Sequence, residues 1–275
     1  MNAGLPYVQS YSIDPEFRTV TVTRYVTPLR EGGSLPAVVE ADDLGTYVLK
    51  FRGAGQGPKV LIAELVAGQI AHVLGLPVPE IVFAELDPIL ARSEPDPEIQ
   101  ALLRASAGLN LALDYLPGSF AYEPGVSPVP APDLASAIVW FDAYIGNVDR
   151  TIRNTNMLIW HRNLWLIDNG AALTFHYDWR DYLAKARRAF PAIRDHALLP
   201  YASALPQMDE LLSIRLTTDA LERIVAVIPD AWLRIGSPFA SPEEHRGAYL
   251  AYLVARLESP RRFAEGAIDA YRQVV

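Results

Sequence analysis

The sequence predicts an α+β fold in two lobes. Three observations predict it. The first third alternates in β-branched residues, as in Arg18-Thr-Val-Thr-Val-Thr-Arg-Tyr-Val26. Residues 119–132 carry four prolines. Beyond them apolar residues recur at helical spacing, interrupted by a single hairpin pattern. The expected organisation is a β-rich lobe over 1–118, a Pro-rich linker over 119–132 and a helical lobe over 133–275.

The elements follow in order. Residues 18–26 alternate and form a strand. Pro36-Ala-Val-Val-Glu40 is a second strand and Thr46-Tyr-Val-Leu-Lys-Phe51 a third. Gly53-Ala-Gly55-Gln-Gly57 lacks the spacing of a dinucleotide fingerprint and reads as a connector. Val60, Leu61, Ala63, Leu65, Val66, Ile70, Val73 and Leu74 place a helix over 57–74, and Gly75 ends it. Val78 to Leu86 returns to strand. Pro88 to Ala107 is partly helical, and Leu109 to Leu116 is a strand ending at Pro117-Gly118. Asp133 is expected to cap a helix through Ile145. Met157–Trp160 and Leu164–Ile167 form the hairpin. Helices follow over 178–189, 206–214, 217–228, 241–258 and 260–272, the last two opened by Ser241-Pro and Ser259-Pro.

Composition narrows the function classes. The chain has 275 residues, 51% of them hydrophobic, enough for two lobes with a real core. A net charge of -8 argues against a nucleic-acid binder, whose footprint is basic. There is no cysteine, so disulfides, thiolate catalysis and Cys-ligated zinc are excluded. The five histidines are scattered without metal-ligand spacing, and no G-x-S-x-G elbow occurs. The N-terminus does not read as a signal peptide, and no apolar stretch suits a bilayer. A soluble cytoplasmic protein without membrane attachment is expected.

The most informative stretch is Asn147-Val-Asp149-Arg150-Thr-Ile-Arg153-Asn154, followed across the hairpin by Ile167-Asp168-Asn-Gly170. One Asp, an Asn five residues later and a second Asp after a hairpin suit phosphoryl transfer. In such chemistry the first Asp would accept the proton of the attacking hydroxyl, and the Asn and second Asp would hold magnesium. Alone, the spacing recurs by chance and reads as an ordinary Asn/Asp-rich turn. Two further residues add weight. Lys50 lies on a strand with one buried face, where an ammonium is costly unless paired. Glu64, in an apolar helix, is its natural partner. Gly32-Gly33-Ser34, between the first two strands, reads either as a phosphate-approaching loop or as an ordinary turn.

With those residues in place, the chain resembles the HipA-like kinases, relatives of the protein kinases and of the phosphoinositide lipid kinases. The resemblance spans roughly 30–235. Its most specific parts are Tyr47-Val-Leu-Lys50-Phe, Ala63-Glu64 through Pro79, and Asn147 through Asn154. Asp149-Arg150 and Ile167-Asp168-Asn-Gly170 look more like the lipid kinases. Where the family usually has a His two residues after the catalytic Asp, this chain has Thr151.

The resemblance implies a bilobal protein-kinase-like fold and an ATP- and Mg²⁺-dependent phosphotransferase. Asp149 would be the base or positioner, with Arg150 or Arg153 as the basic residue near the transferred phosphate. Asn154 and Asp168 would hold the metal. Lys50, oriented by Glu64, and the loop Gly32, Gly33 and Ser34 would meet the phosphates. Asp114, Tyr115 and Leu116 would form the hinge that meets adenine. Ser34 is the candidate regulatory phosphosite. The acceptor would be a Ser/Thr hydroxyl of a protein. A small molecule or lipid headgroup is the first alternative, and a nucleotide-binding pseudokinase or regulatory scaffold the second. An antitoxin-like partner is a further implication.

Overall fold

The computed structural model describes residues 17–29, 35–55, 57–92 and 94–274. The described residues open with strands β1 (Thr19–Pro28), β2 (Ala37–Ala41) and β3 (Thr46–Lys50). Helix α1 (Pro58–Leu74), β4 (Ile81–Leu86), α2 (Pro97–Ala105) and β5 (Gly108–Asp114) follow. Next come β6 (Phe120–Ala121), α3 (Pro132–Ile145) and the hairpin β7 (Met157–Trp160) and β8 (Asn163–Leu166). The rest is helical: α4 (Tyr182–Ala186), α5 (Leu205–Ser213), α6 (Thr218–Ala226), α7 (Asp230–Leu233), α8 (Pro242–Leu257) and α9 (Arg262–Val274). No helix among the described residues is long and apolar enough to cross a membrane.

The first five strands close into a barrel in the order β1-β2-β3-β5-β4, with a parallel β1–β4 seam. Strand alternation divides its residues between two cores. Val82, Ala84, Leu86 and Ala112 point into the barrel with Val20, Val22, Val39 and Leu49. Ile81, Phe83, Leu111 and Leu113 point outward and join the larger core of the helical part.

Helix α1 belongs to this larger core. It is buried on nearly every face, as expected of a helix whose apolar residues wrap all round. Gly68 lets it approach β4, since a Cβ there would run into Ile81 Cδ1. Gly75, at φ 75°, ends it in the left-handed conformation. The helical part grips this layer through α7, where Trp232 Nε1 donates to the Leu109 carbonyl at 3.2 Å. The Trp232 ring also meets Phe83 edge-on, with centroids 5.6 Å apart.

The fold class agrees with the sequence reading, but several local expectations change. The segment 119–132 contains β6, which pairs with β7. Asp133 does not cap α3. Ala131 occupies the N-cap without a side-chain bond, and Pro132 takes the first helical turn. The helix expected over 178–189 shrinks to α4. Its Ala186 carbonyl, and that of Arg188 beyond it, accept from Arg256 Nη1 instead of continuing a helical ladder. The last helix begins at Arg262 rather than at Pro260, and the Arg261 carbonyl receives its first N–H groups. Ser241 does cap α8, accepting from Glu244 N. The short α7 was not anticipated.

Candidate active site

The site lies where β3, α1 and the two loops flanking the β7–β8 hairpin meet. Lys50 ends β3 with its side chain buried. Its Nζ donates to Glu64 Oε2 at 2.9 Å and to Asp168 Oδ1 at 2.5 Å. Glu64 is fully buried in the middle of α1. Asp168 keeps 45% of its side chain exposed. Burial opposes charge on Lys50, but the Glu64 and Asp168 carboxylates outweigh it and hold the ammonium above its ordinary range. Lys50 in turn holds the Asp168 carboxyl below the usual carboxylate range, against the cost of burial.

Asp168 has φ 55°, an uncommon left-handed conformation for a residue with a side chain. Such strain persists where surrounding structure enforces it. Gly170 contributes to that surrounding. A Cβ on it would lie 2.6 Å from Val60 Cγ1 and 3.5 Å from Asp168 Oδ1, so only glycine lets this loop lie against α1. The hairpin feeding Asp168 turns through His161 and Arg162, at φ 48° and 68°. Positive φ at both central residues is the geometry of tight two-residue hairpins.

Asp149 follows α3 in the other loop. Its backbone N–H donates to Asn147 Oδ1 at 3.1 Å. Its Oδ2 accepts from Asn154 Nδ2 at 2.8 Å and Asn156 Nδ2 at 3.1 Å. Thr151 and Asn154 exchange backbone hydrogen bonds at 2.9 and 3.2 Å, which folds the loop back on itself. Thr151 also pairs with His196 in an isolated antiparallel bridge.

Arg150 turns the other way. Its guanidinium is buried and donates to Asp142 Oδ2 at 2.6 Å, Asn169 Oδ1 at 2.7 Å, the Ile167 carbonyl at 3.2 Å and the Asn156 carbonyl. It therefore ties the Asp149 loop to the Asp168 loop and does not face the open side of the site. Asp142 also accepts from Asn147 Nδ2 at 3.0 Å and lies 2.9 Å from His196 Nε2. Burial opposes ionisation of Asp142, yet Arg150 and His196 hold its carboxyl below the usual range.

At the hinge, Asp114 N–H donates to the Glu80 carbonyl at 2.8 Å and Tyr115 N–H to the Thr46 carbonyl at 3.0 Å. Leu116 is buried, and its carbonyl accepts from Ser119 N at 3.2 Å. Burial first, then the Glu80 carboxylate, raises the Asp114 carboxyl.

Two groups of expected residues are thus assembled: Lys50, Glu64 and Asp168 in one, Asp149 and Asn154 in the other, with Arg150 joining their loops. Gly32, Gly33 and Ser34 lie outside the described residues. The sequence reading missed Asp142, Asn156, Asn169 and His196. Asp142 had a signal, being a carboxylate inside the apolar run Ile138–Ile145. A charge so placed demands a buried partner.

A family model described as HipA-like kinase matches residues 22–261. No curated protein matches the chain. Among solved structures, the Helicobacter pylori proinflammatory kinase CtkA is similar over 94% of this chain and 99% of its own, at 13% identity and a TM-score of 0.53. Two structures of the Golgi casein kinase are also similar. The one with Mn/ADP bound is 12% identical, covers 94% of this chain and 74% of its own, and has a TM-score of 0.48. The other is 13% identical, covers 94% and 75%, and has a TM-score of 0.44. At such identities the likeness to CtkA speaks to the fold alone.

Proposed function

The chain belongs to the HipA-like kinase family, and on that premise we propose that it transfers the γ-phosphoryl group of ATP, with Mg²⁺, to a Ser/Thr hydroxyl of a protein. The observation that carries this reading is the ion triad Glu64–Lys50–Asp168, joined across 118 residues of sequence. One ammonium serves two carboxylates there, leaving surplus negative charge at a half-open position. That surplus suits a cation brought in with phosphates.

The donor set fits magnesium. Asp168 uses Oδ1 on Lys50 and keeps Oδ2 for another partner. Asn154 uses its Nδ2 on Asp149, which leaves its carbonyl oxygen as a ligand. Magnesium is a hard cation, held typically by one or two carboxylates together with phosphates and water. When bound, the ion would neutralise charge on the phosphates.

The chain's own residues do the rest. Lys50 places a fixed positive charge where phosphate oxygens bind, and Glu64 holds its direction. Asp149 accepts the proton of the attacking hydroxyl through Oδ1, because Oδ2 is occupied by Asn154 and Asn156. Arg150 orients both loops from behind instead of meeting the phosphate. At the hinge, Leu116 N–H has no partner among the described residues and is the group offered to adenine. A cytoplasmic location is part of the same proposal. An antitoxin-like partner remains part of the proposal through the family resemblance.

The test is transfer of labelled phosphate from ATP, with Mg²⁺ or with chelator, to a panel of proteins, small alcohols and lipid headgroups. Phosphoserine or phosphothreonine formed only with Mg²⁺ is expected. Labelling confined to a small alcohol or headgroup would shift the acceptor class. Nucleotide binding without transfer to any of them would replace the enzyme with a regulatory scaffold. Co-purification with a neighbouring gene product tests the partner.

A further inference from the structure

Asn169 stands between the Asp168 carboxylate and Gly170, and it is buried. Both ends of its amide are engaged. Oδ1 accepts from Arg150 Nη2 at 2.7 Å, and Nδ2 donates to Glu64 Oε1 at 3.5 Å. The orientation of the amide is fixed by chemistry: a guanidinium only donates and an ionised carboxylate only accepts. One short side chain therefore joins the buried anchor of the Asp149 loop to the partner of Lys50.

The connection closes an unbroken chain. Lys50 bonds Glu64, Glu64 bonds Asn169, Asn169 bonds Arg150, and Arg150 bonds Asp142. Each oxygen of Glu64 has its own donor, Oε2 from Lys50 and Oε1 from Asn169. An apolar residue at 169 would leave Glu64 Oε1 and one Arg150 N–H buried without partners. Such orphaned groups, beside charges, are costly. The arrangement relaxes by releasing Glu64 from Lys50 or by moving Arg150 and the loop it holds.

We propose that Asn169 is a positioning residue that couples the Lys50–Glu64 pair to the loop carrying Asp149. Phosphate binding and hydroxyl activation then depend on one another through this amide. The proposal deepens the kinase reading, and its catalytic arm rests on that reading.

Two variants test it. Asn169→Leu keeps the number of side-chain heavy atoms and removes both hydrogen bonds. Asn169→Asp keeps an acceptor for Arg150 but, ionised, offers Glu64 no donor. Three quantities are measured on each folded variant: the rate at which acetic anhydride modifies Lys50, the KM for Mg·ATP, and kcat. Supporting residues of this kind typically change activity about 10–100-fold. Asn169→Leu is expected to raise KM and lower kcat within that range and to speed Lys50 acetylation. Asn169→Asp is expected to raise KM and acetylation while holding kcat closer to wild type. A lower melting temperature with unchanged acetylation, KM and kcat would reduce Asn169 to a packing residue and overturn the proposal. If the wild type transfers no phosphate, the kinase reading fails, and Lys50 acetylation still decides the coupling. If Asn169→Leu does not fold, Asn169→Asp carries the same measurements.

Discussion

Arg150 Nε and Asp142 Oδ2 form an ion pair at 2.6 Å with both side chains fully shielded from solvent. The residue next to the proposed base is thus an anchor on α3, and it sets where Asp149 stands. Removing one member of a buried pair leaves the other uncompensated, at a typical cost of about 3–5 kcal/mol. Arg150→Gln should lose stability in that range in urea unfolding. Adding Asp142→Asn should return much of it. A loss below about 1 kcal/mol in the single variant would mean that the pair does not hold the loop.

Asp149→Asn should leave fold and nucleotide affinity near wild type while lowering phosphoryl transfer about 10²–10⁴-fold. The substituted amide retains an oxygen for Asn154 and Asn156, so the loop keeps its shape. It cannot take the hydroxyl proton. Single-turnover assays with saturating Mg·ATP decide the matter. A variant retaining more than about a tenth of the wild-type rate is incompatible with the assignment.

Asp168→Ala should weaken Mg²⁺-dependent ATP binding more than Asn154→Ala does. A carboxylate gives a hard cation more than a neutral amide can. Calorimetry with ATP at several magnesium concentrations provides the comparison. Equal affinity for wild type and Asp168→Ala contradicts the metal role.

Gly170→Ala should destabilise by about 1–3 kcal/mol, the usual cost of forcing atoms into a packed site. Its Cβ would meet Val60 Cγ1 at 2.6 Å. Trimming that neighbour in Gly170→Ala/Val60→Ala should recover part of the loss. Full additivity of the two changes would show that the contact is not the cause.

His176 contributes a defined part of the pH dependence. Burial first, then Lys59 and His245, push its imidazole down to about 3 from an ordinary 6.5. The unfolded chain therefore binds a proton that the folded chain refuses between those values. The contribution of this group to stability is complete above pH 6.5 and declines as pH falls toward 3, by at most about 1.4 kcal/mol per pH unit. His176→Gln should show a shallower fall between pH 7 and 5 in urea unfolding. Identical slopes would assign the dependence to other groups.

Much of the fold is legible in the sequence because period and punctuation are local. Alternation gives β1 to β3, and Gly75 ends α1 where the apolar pattern stops. The Asp149, Asn154 and Asp168 spacing is readable because phosphoryl transfer, the proposed chemistry, uses those residue types in that order. The supporting residues are harder to read. Asn156 and Asn169 look like turn residues, and His196 lies in an irregular segment. Their roles arise only when Arg150 folds inward, a matter of distant packing. α7 escaped notice because four residues carry no period, and its value lies in one indole, Trp232.

The strand order of the barrel sets a timetable. β5 lies between β3 and β4 although it is made last of the five, and β1 meets β4 across the parallel seam. A nascent chain emerging from the ribosome can assemble β1, β2 and β3 as a local meander. It cannot seal the barrel until Asp114 is out, and β3 and β4 stay unpaired along one side meanwhile. Exposed strand edges of that kind invite pairing with other chains. From residue 86 to residue 114 of synthesis, those two edges are therefore the open side of the barrel.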